Sequence, residues 1–187
     1  MPRYLDTTLM VIAVSASSLA AQVPGAFTLA SPDVHAGQPM AAAQVFNGMG
    51  CTGANISPAL QWRGAPANTK SFAVTLYDPD APTGSGWWHW VSYNIPAGTT
   101  QLAAGAGDQK KGLMPPGSAQ GNTDFGTPGY GGPCPPPGDK PHRYIFTVYA
   151  LDVAKLDLPA TATAAYVGFN LHAHTVGKAT LTALYGR

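Results

Sequence analysis

Charge is scarce in this chain. Only 10% of its 187 residues are Asp, Glu, Lys or Arg, and the formal net charge is +1. With so few cations and no basic stripe, the composition argues against a nucleic-acid partner. A membrane span is missing too: the apolar run from Leu9 to Val14 gives way to the small residues Ser15 to Ala21 and is too short and Ser-rich to cross a bilayer. Signatures of catalysis are also lacking. There is no Gly-x-Ser-x-Gly elbow, no His-Glu-x-x-His and no metal-type pairing of cysteines. His172 and His174, two apart in a helix-like stretch, point to different sides and make no metal pair. No cofactor is expected. What the chain has in quantity is Gly (22) and Pro (18), beside a hydrophobic share of 45%. That combination reads as one folded, loop-rich, mainly β domain, long enough to bury a core.

The first twenty residues read as an export signal. Arg3 supplies a weak positive start, the apolar run follows, and Ser18-Leu19-Ala20 suits cleavage after Ala20. A buried or frayed helix is the alternative reading of the same stretch. On the first reading residues 21–187 form a single domain, periplasmic or secreted. The two cysteines, Cys51 and Cys134, then favour a disulfide, because an even count in an exported chain points that way. Such a bridge would stabilise the fold by roughly 4 kcal/mol through chain entropy. Two free buried thiols are the other arrangement.

Three segments read as strands. In Ser71 to Tyr77, the residues Phe72, Val74 and Leu76 share one face, and continuing the alternation puts Asp78 at the end of that apolar face. In Trp87 to Ile95, strict alternation puts His89, Val91, Tyr93 and Ile95 together, opposite Trp88, Trp90, Ser92 and Asn94. In His142 to Leu151, the residues His142, Tyr144, Phe146, Val148 and Ala150 share a side. A shorter strand is expected over Phe27 to Leu29. Residues Ala97 to Gly129 form a long polar excursion, a helix is expected from about Tyr166 to Thr175, and an extended piece from Ala179 to Tyr185. Val167 with Leu171, and Phe169 with Ala173, carry the helical spacing. The architecture is a β-sandwich or open β fold with a helix near one end.

The segment from Gly129 to Gly138 (Gly-Tyr-Gly-Gly-Pro-Cys-Pro-Pro-Pro-Gly) can form neither a helix nor a central strand, so it makes a stiff, shaped loop beside the strand that starts at His142. Asp78-Pro79-Asp80-Ala81-Pro82, then His89 in a Trp-rich strand, then this loop and His142-Arg143-Tyr144 together resemble the phosphatidylethanolamine-binding protein family, in its bacterial, Raf-kinase-inhibitor-like branch. Gly50 to Pro58 with Leu60-Gln61-Trp62, and Gly168 to His172, support the resemblance, which runs from about Phe27 to Gly186. It implies a Greek-key β-sandwich with a small preformed pocket for an anion or phosphate head group. By motif position that pocket falls on Asp78, Asp80, His89, Tyr130, Gly132, Pro133, His142 and Tyr144.

The chemistry of those residue types suits an oxyanion. Imidazoles and phenols donate hydrogen bonds, and Gly-rich backbone lets amides approach closely. A carboxylate repels an anion, so Asp78 either accepts from a histidine and fixes its tautomer, or binds the ammonium or hydroxyl part of a ligand such as phosphoethanolamine. Two histidines with no Lys among the matched positions predict anion affinity that falls as pH rises through the histidine range. Asp80 has a second reading as a turn cap, and Arg143, out of phase with its neighbours, reads as a structural pairing residue. The function read from these residues is a non-catalytic binding protein for a small anionic ligand or phosphate head group, with a kinase or protease as a possible regulated partner. The rival is a metal- or acid/base-dependent phosphoester hydrolase using the same Asp/His set.

Overall fold

The structure is a computed structural model, and it describes residues 25–187. The export-signal reading of residues 1–20 lies outside them. Ten strands and one α-helix follow in chain order: β1 (Thr28–Ala30), β2 (Asn47–Gly48), β3 (Cys51–Thr52), β4 (Leu60–Arg63), β5 (Ser71–Asp78), β6 (Trp87–Pro96), β7 (Gln101–Leu102), β8 (Ala119–Gln120), β9 (His142–Leu151), α1 (Ala164–His174) and β10 (Thr175–Tyr185). No helix among the described residues is long and apolar enough to cross a membrane.

An antiparallel sheet in the order β10-β9-β5-β6-β8 forms the central layer. A smaller sheet, β1-β4-β7, covers one face. Between the two lies the main core: Phe72, Val74 and Leu76 of β5, Tyr144, Phe146 and Val148 of β9, and Leu29, Leu60, Trp62 and Leu102 from the smaller sheet. The other face is covered by α1, whose Ala164, Val167 and Leu171 pack on Ala73, Val91 and Tyr93. Because both faces are covered, β5 is buried at every position except Tyr77. The fold is mainly β with one helix near the C-terminal end of the sequence.

Helix α1 starts where Thr163 caps it, its side chain accepting the Tyr166 N–H at 3.2 Å. The helix ends as the β-branched pair Thr175-Val176 begins the last strand, four residues earlier than the Ala179 expected from sequence because β10 opens directly from the helix. Phe169, which shares the helical spacing, is 72% exposed.

Strand β6 departs from strict alternation. Leu76 is opposite Trp90 and Tyr77 is opposite Trp88, so His89 is an extra residue with no partner in the ladder. A second irregularity lies between the Phe72–Ile95 and Val74–Ser92 pairs, where Asn94 adopts a left-handed backbone at φ 58°. Its side chain exchanges two hydrogen bonds with the backbone of Leu156 (3.1 and 2.7 Å). These bulges redistribute the strand. Trp90 and Ile95 enter the sandwich core, whereas Val91 and Tyr93 lie under the helix. The single shared face expected for His89, Val91, Tyr93 and Ile95 is therefore not formed.

Candidate functional site

Strand β5 ends in a carboxylate because the chain must turn there. Asp78 Oδ1 accepts the backbone N–H groups of Asp80 (2.8 Å) and Ala81 (3.2 Å), shaping the Asp-Pro-Asp-Ala-Pro turn. Its other oxygen accepts from His142 Nδ1 at 2.8 Å. Asp78 is 2% and His142 4% exposed, so this is a buried pair joining the end of β5 to the start of β9. Three of the roughly four lone-pair positions of the carboxylate are thus occupied. His142 Nε2 stands 3.4 Å from Asp139 Oδ2 at the rim.

The bulge in β6 turns His89 toward the same place. Its Nδ1 donates to Gly131 O at 2.8 Å, and the Gly131 N–H donates back to His89 O at 2.8 Å. The ring packs edge-on against Tyr144 and Phe125 (5.2 and 5.4 Å between centroids). Burial of the imidazole lowers its pKa from 6.5 to about 4, outweighing the Gly131 carbonyl and the Asp78 charge, both of which raise it. His89 is therefore neutral at pH 7.

That neutrality is a stability statement. The unfolded chain takes up a proton near pH 6.5 and the folded chain only near 4, so acid favours unfolding across that window. The contribution is complete above pH 6.5 and declines by about 3 kcal/mol as pH falls to 4. Urea unfolding of the wild type and of His89→Gln at pH 7 and at 4.5 measures it. The variant is expected to lack most of the decline, and equal declines in both proteins would contradict a neutral His89.

Asp78, His89, His142 and Tyr144 line one cavity of about 320 Å³. Pro135 and Pro136 form its lip with Cys134, and Trp87, Met49 and Arg187 complete the wall. The lip is fastened twice. Cys134 is bonded to Cys51 of β3, and Arg187 donates to the carbonyls of Pro135 (2.6 Å), Gly50 (3.0 Å) and Met49 (3.4 Å). Met49 and Gly50 both have positive φ (52° and 81°), as a two-residue hairpin turn between β2 and β3 requires. This turn leaves Met49 65% exposed at the mouth.

Two donors in the wall have no partner. The Tyr144 hydroxyl is buried beside the Asp78 carboxylate without hydrogen-bonding geometry, and the Trp87 indole N–H is likewise buried and unpaired. Burial and the nearby carboxylate push the Tyr144 phenol upward, so it stays protonated and able to donate.

The sequence model of one family, described as "Phosphatidylethanolamine-binding protein", matches residues 30–186. The chain belongs to that family. It is 47% identical to UPF0098 protein YbcL of Escherichia coli K12 over 178 residues, covering 95% of this chain and 97% of YbcL. It is 54% identical to UPF0098 protein YbhB of the same organism over 159 residues, covering 84% of this chain and 98% of YbhB. The crystal structure of E. coli YbcL superposes with a TM-score of 0.85, over 87% of this chain and 99% of that one. A putative family homologue from Chlamydia trachomatis, 31% identical, superposes at 0.72 over 87% of this chain and 98% of that one.

The family positions taken from the motifs divide into two groups in this chain. Asp78, His89, His142 and Tyr144 converge on the cavity, while Asp80, Tyr130, Gly132 and Pro133 stand behind or beside its wall. Asp80 receives three hydrogen bonds from Arg143, one from the backbone (2.8 Å) and two from the guanidinium (2.9 and 2.7 Å). That guanidinium holds the Asp80 carboxyl at about 2, and the pair is solvent-screened at the surface. Tyr130 donates its hydroxyl to Gln44 O at 2.8 Å and sits edge-on to Trp90. Gly132 donates its N–H to the Asn55 side chain at 2.7 Å. A Cβ at Gly132 would strike the Gln44 carbonyl, so glycine is required there by backbone approach. The Pro133 carbonyl accepts Phe46 N–H at 3.1 Å.

Trp87, Arg187 and Asn55 are not among the pocket positions that the motifs imply. Trp87 opens β6, where sequence alone reads as packing, and Arg187 lies two residues beyond the last strand. Asn55 carries the one available signal, because its place before Ile56-Ser57-Pro58 is a turn where φ reaches 52°.

Proposed function

We propose that this family member is a non-catalytic exported binding protein whose cavity takes a small oxyanion or phosphate head group. The two unpartnered buried donors, Tyr144 hydroxyl and Trp87 indole, carry this reading. An unpaired buried donor is a cost that a ligand acceptor removes. The carboxylate near Tyr144 already accepts from His142 and two amides, which leaves about one of its lone-pair positions open. Among the described residues no group of three His, Cys, Asp or Glu stands close enough to hold a metal ion, which gives a metal-dependent hydrolase no support. Export is supported by the disulfide and by the leader pattern of the first twenty residues. Regulation of a partner kinase or protease rests on family likeness.

Tyr144→Phe tests the reading in two directions at once. Calorimetric titration with phosphate should show affinity reduced by roughly tenfold or more, since hydrogen bonds to charged groups contribute about 1.5–3 kcal/mol. The unliganded variant should be as stable as the wild type or slightly more so, because it loses a buried group with nothing to bond. Trp87→Phe is expected to behave similarly. Unchanged phosphate affinity in both variants would remove the cavity from consideration.

A further inference from the structure

Helix α1 and the first residues of β10 leave a groove of about 670 Å³ on the helix side of the main sheet, bounded by Trp88, Tyr149, Gly168, His172, Val176 and Lys178. It shares no residue with the cavity at the end of β5. Strand pairing makes its floor aromatic. Tyr149 lies opposite Ala73 of β5 and Lys178 of β10, so all three are on the face that α1 covers. Trp88 lies opposite Tyr77, and the two rings meet at 4.6 Å between centroids. Trp88 and Tyr149 pack against the edge of the core beneath α1 and are only half-buried. A bulge at Val176, between the Thr175–Leu151 and Gly177–Ala150 pairs, lies in the same corner.

Two glycines border the groove for different reasons. Gly177 is required by packing, because a Cβ there would come within 2.8 Å of the Pro66 ring. Gly168 is required by nothing in the fold. It sits inside α1 without a positive φ, and a Cβ there would meet no atom within 4 Å. Glycine weakens a helix interior relative to alanine, so this bare backbone is a loss for folding that keeps the groove open. The two ends of the groove differ. Ala165, Gly168 and His172 follow one another along one side of α1, spanning about 10 Å at 1.5 Å per residue. Trp88 belongs to the Ala165 end: it bonds to Asp124, and Asn122 bridges to Thr163 at the helix cap. Tyr149 and Lys178 belong to the His172 end, where β10 leaves the helix.

Charge gives the groove a direction. No Asp or Glu of the described residues lines it. The acids nearest its ends are engaged: Asp124 accepts the Trp88 N–H at 2.7 Å, and Asp152 meets His174 at 3.0 Å. Among the described residues, Lys178 and His172 belong to none of the ion pairs. We propose that this groove is a second binding site, for an amphipathic organic anion. A flat apolar body lies against Trp88 and over Gly168, and a carboxylate reaches the Lys178 ammonium beside Tyr149. A cation would face Lys178 with no acid to offset it. A sugar needs acceptors for its hydroxyl groups, and the lining holds neither a carboxylate nor a side-chain amide. An aromatic carboxylate meets the groove at both ends, by stacking at one and by charge at the other.

Calorimetric titration with naphthylacetate, naphthylacetamide and naphthylmethylammonium tests the proposal. Naphthylacetate is expected to bind with a dissociation constant below about 1 mM. It should bind at least about fivefold more tightly than the ammonium compound, with the neutral amide between them. Nitrogen-15 amide shifts should move at Tyr149, Gly168 and Lys178 and stay in place at His89 and Gly131. Lys178→Gln should bring the three affinities within about twofold of one another, since it removes the charge and keeps most of the stem. Gly168→Leu should weaken naphthylacetate at least about tenfold by filling the groove, while its urea midpoint stays at or above that of the wild type, because leucine is the better helix former. Failure of all three compounds to bind overturns the proposal, as does equal affinity for the anion and the cation. Shifts confined to His89 and its neighbours, or unchanged affinity in folded Gly168→Leu, overturn it as well. A concentration-dependent dimer in sedimentation that Gly168→Leu breaks, with no naphthylacetate bound, gives the groove to a second copy of the chain and overturns it too.

Discussion

Replacing Asp78 by Ala is expected to lower the unfolding free energy by about 2–4 kcal/mol, because a buried carboxylate that accepts three hydrogen bonds is removed and its donors lose their partner. The carboxylate has three tasks in one place, and the substitution undoes all of them. His142 loses the acceptor 2.8 Å from Nδ1, and the Asp80 and Ala81 amides lose the oxygen that shapes their turn. His142 is left buried with Nδ1 unpaired, and the two amides at the turn lose their acceptor within the protein. Urea unfolding at pH 7 measures the loss, and a value below about 1 kcal/mol would show that the pair contributes little. His142→Ala alone, and the double variant, complete a thermodynamic cycle. The two losses should add to more than the double variant shows, by up to about 3 kcal/mol, because both substitutions destroy the same bond. Phosphate binding should disappear in all three proteins, since the turn and the strand start that frame the cavity both depend on this pair.

Replacing both cysteines by Ser is the second large effect. Cys51 and Cys134 are 83 residues apart in sequence, and losing the closure of so long a loop should cost about 4 kcal/mol of stability. The native protein should show no free thiol before reduction. The functional consequence is local as well as global. Cys134 lies in the cavity lip, and the bridge ties that lip to β3 at the foot of the Met49–Gly50 turn. With the bridge gone, the Arg187 hydrogen bonds and the Phe46 N–H to Pro133 carbonyl bond are left to fasten the lip to the hairpin. Phosphate affinity should therefore fall in the double Ser protein even at temperatures where it remains folded. Full affinity in a folded, bridge-free protein would show that the proline lip is stiff enough alone.

The strands that were legible in the sequence are those whose environment is uniform. From His142 to Leu151 the alternation is unbroken, because β9 pairs with β5 from Ile145 to Leu151 without a register shift, and the strand's bounds match the expectation. In β5 both faces are covered, but the odd and even residues still separate cleanly into two cores, so Asp78 emerges in phase with the sandwich side. Strand β6 was legible as a strand and misleading as a pattern. Trp-Trp-His-Trp gives no hint of a bulge, since an extra residue is marked by what sits across the ladder and not by its own side chain. His89 reaches the cavity all the same, by the irregularity and not by the alternation that first pointed to it. The division of the motif residues into cavity and support was hidden for a related reason. Tyr130 and Gly132 meet Gln44 and Asn55, more than seventy positions away, and no local pattern announces such contacts. Arg143 out of phase with His142 did signal a pairing role, and it meets Asp80.

Because His89 has no counterpart in the neighbouring strand, the number of residues between Trp88 and Trp90 matters as much as their kind. Deleting it would leave Trp88 and Trp90 as neighbours in an unbroken pleat, still opposite Tyr77 and Leu76 and still in their own layers, so the ladder would close and no side chain at this point would be turned to the cavity. Homologues that keep the cavity should therefore vary the chemistry of this segment more freely than its length, and a grafted version of the site would have to import the spacing along with the side chains.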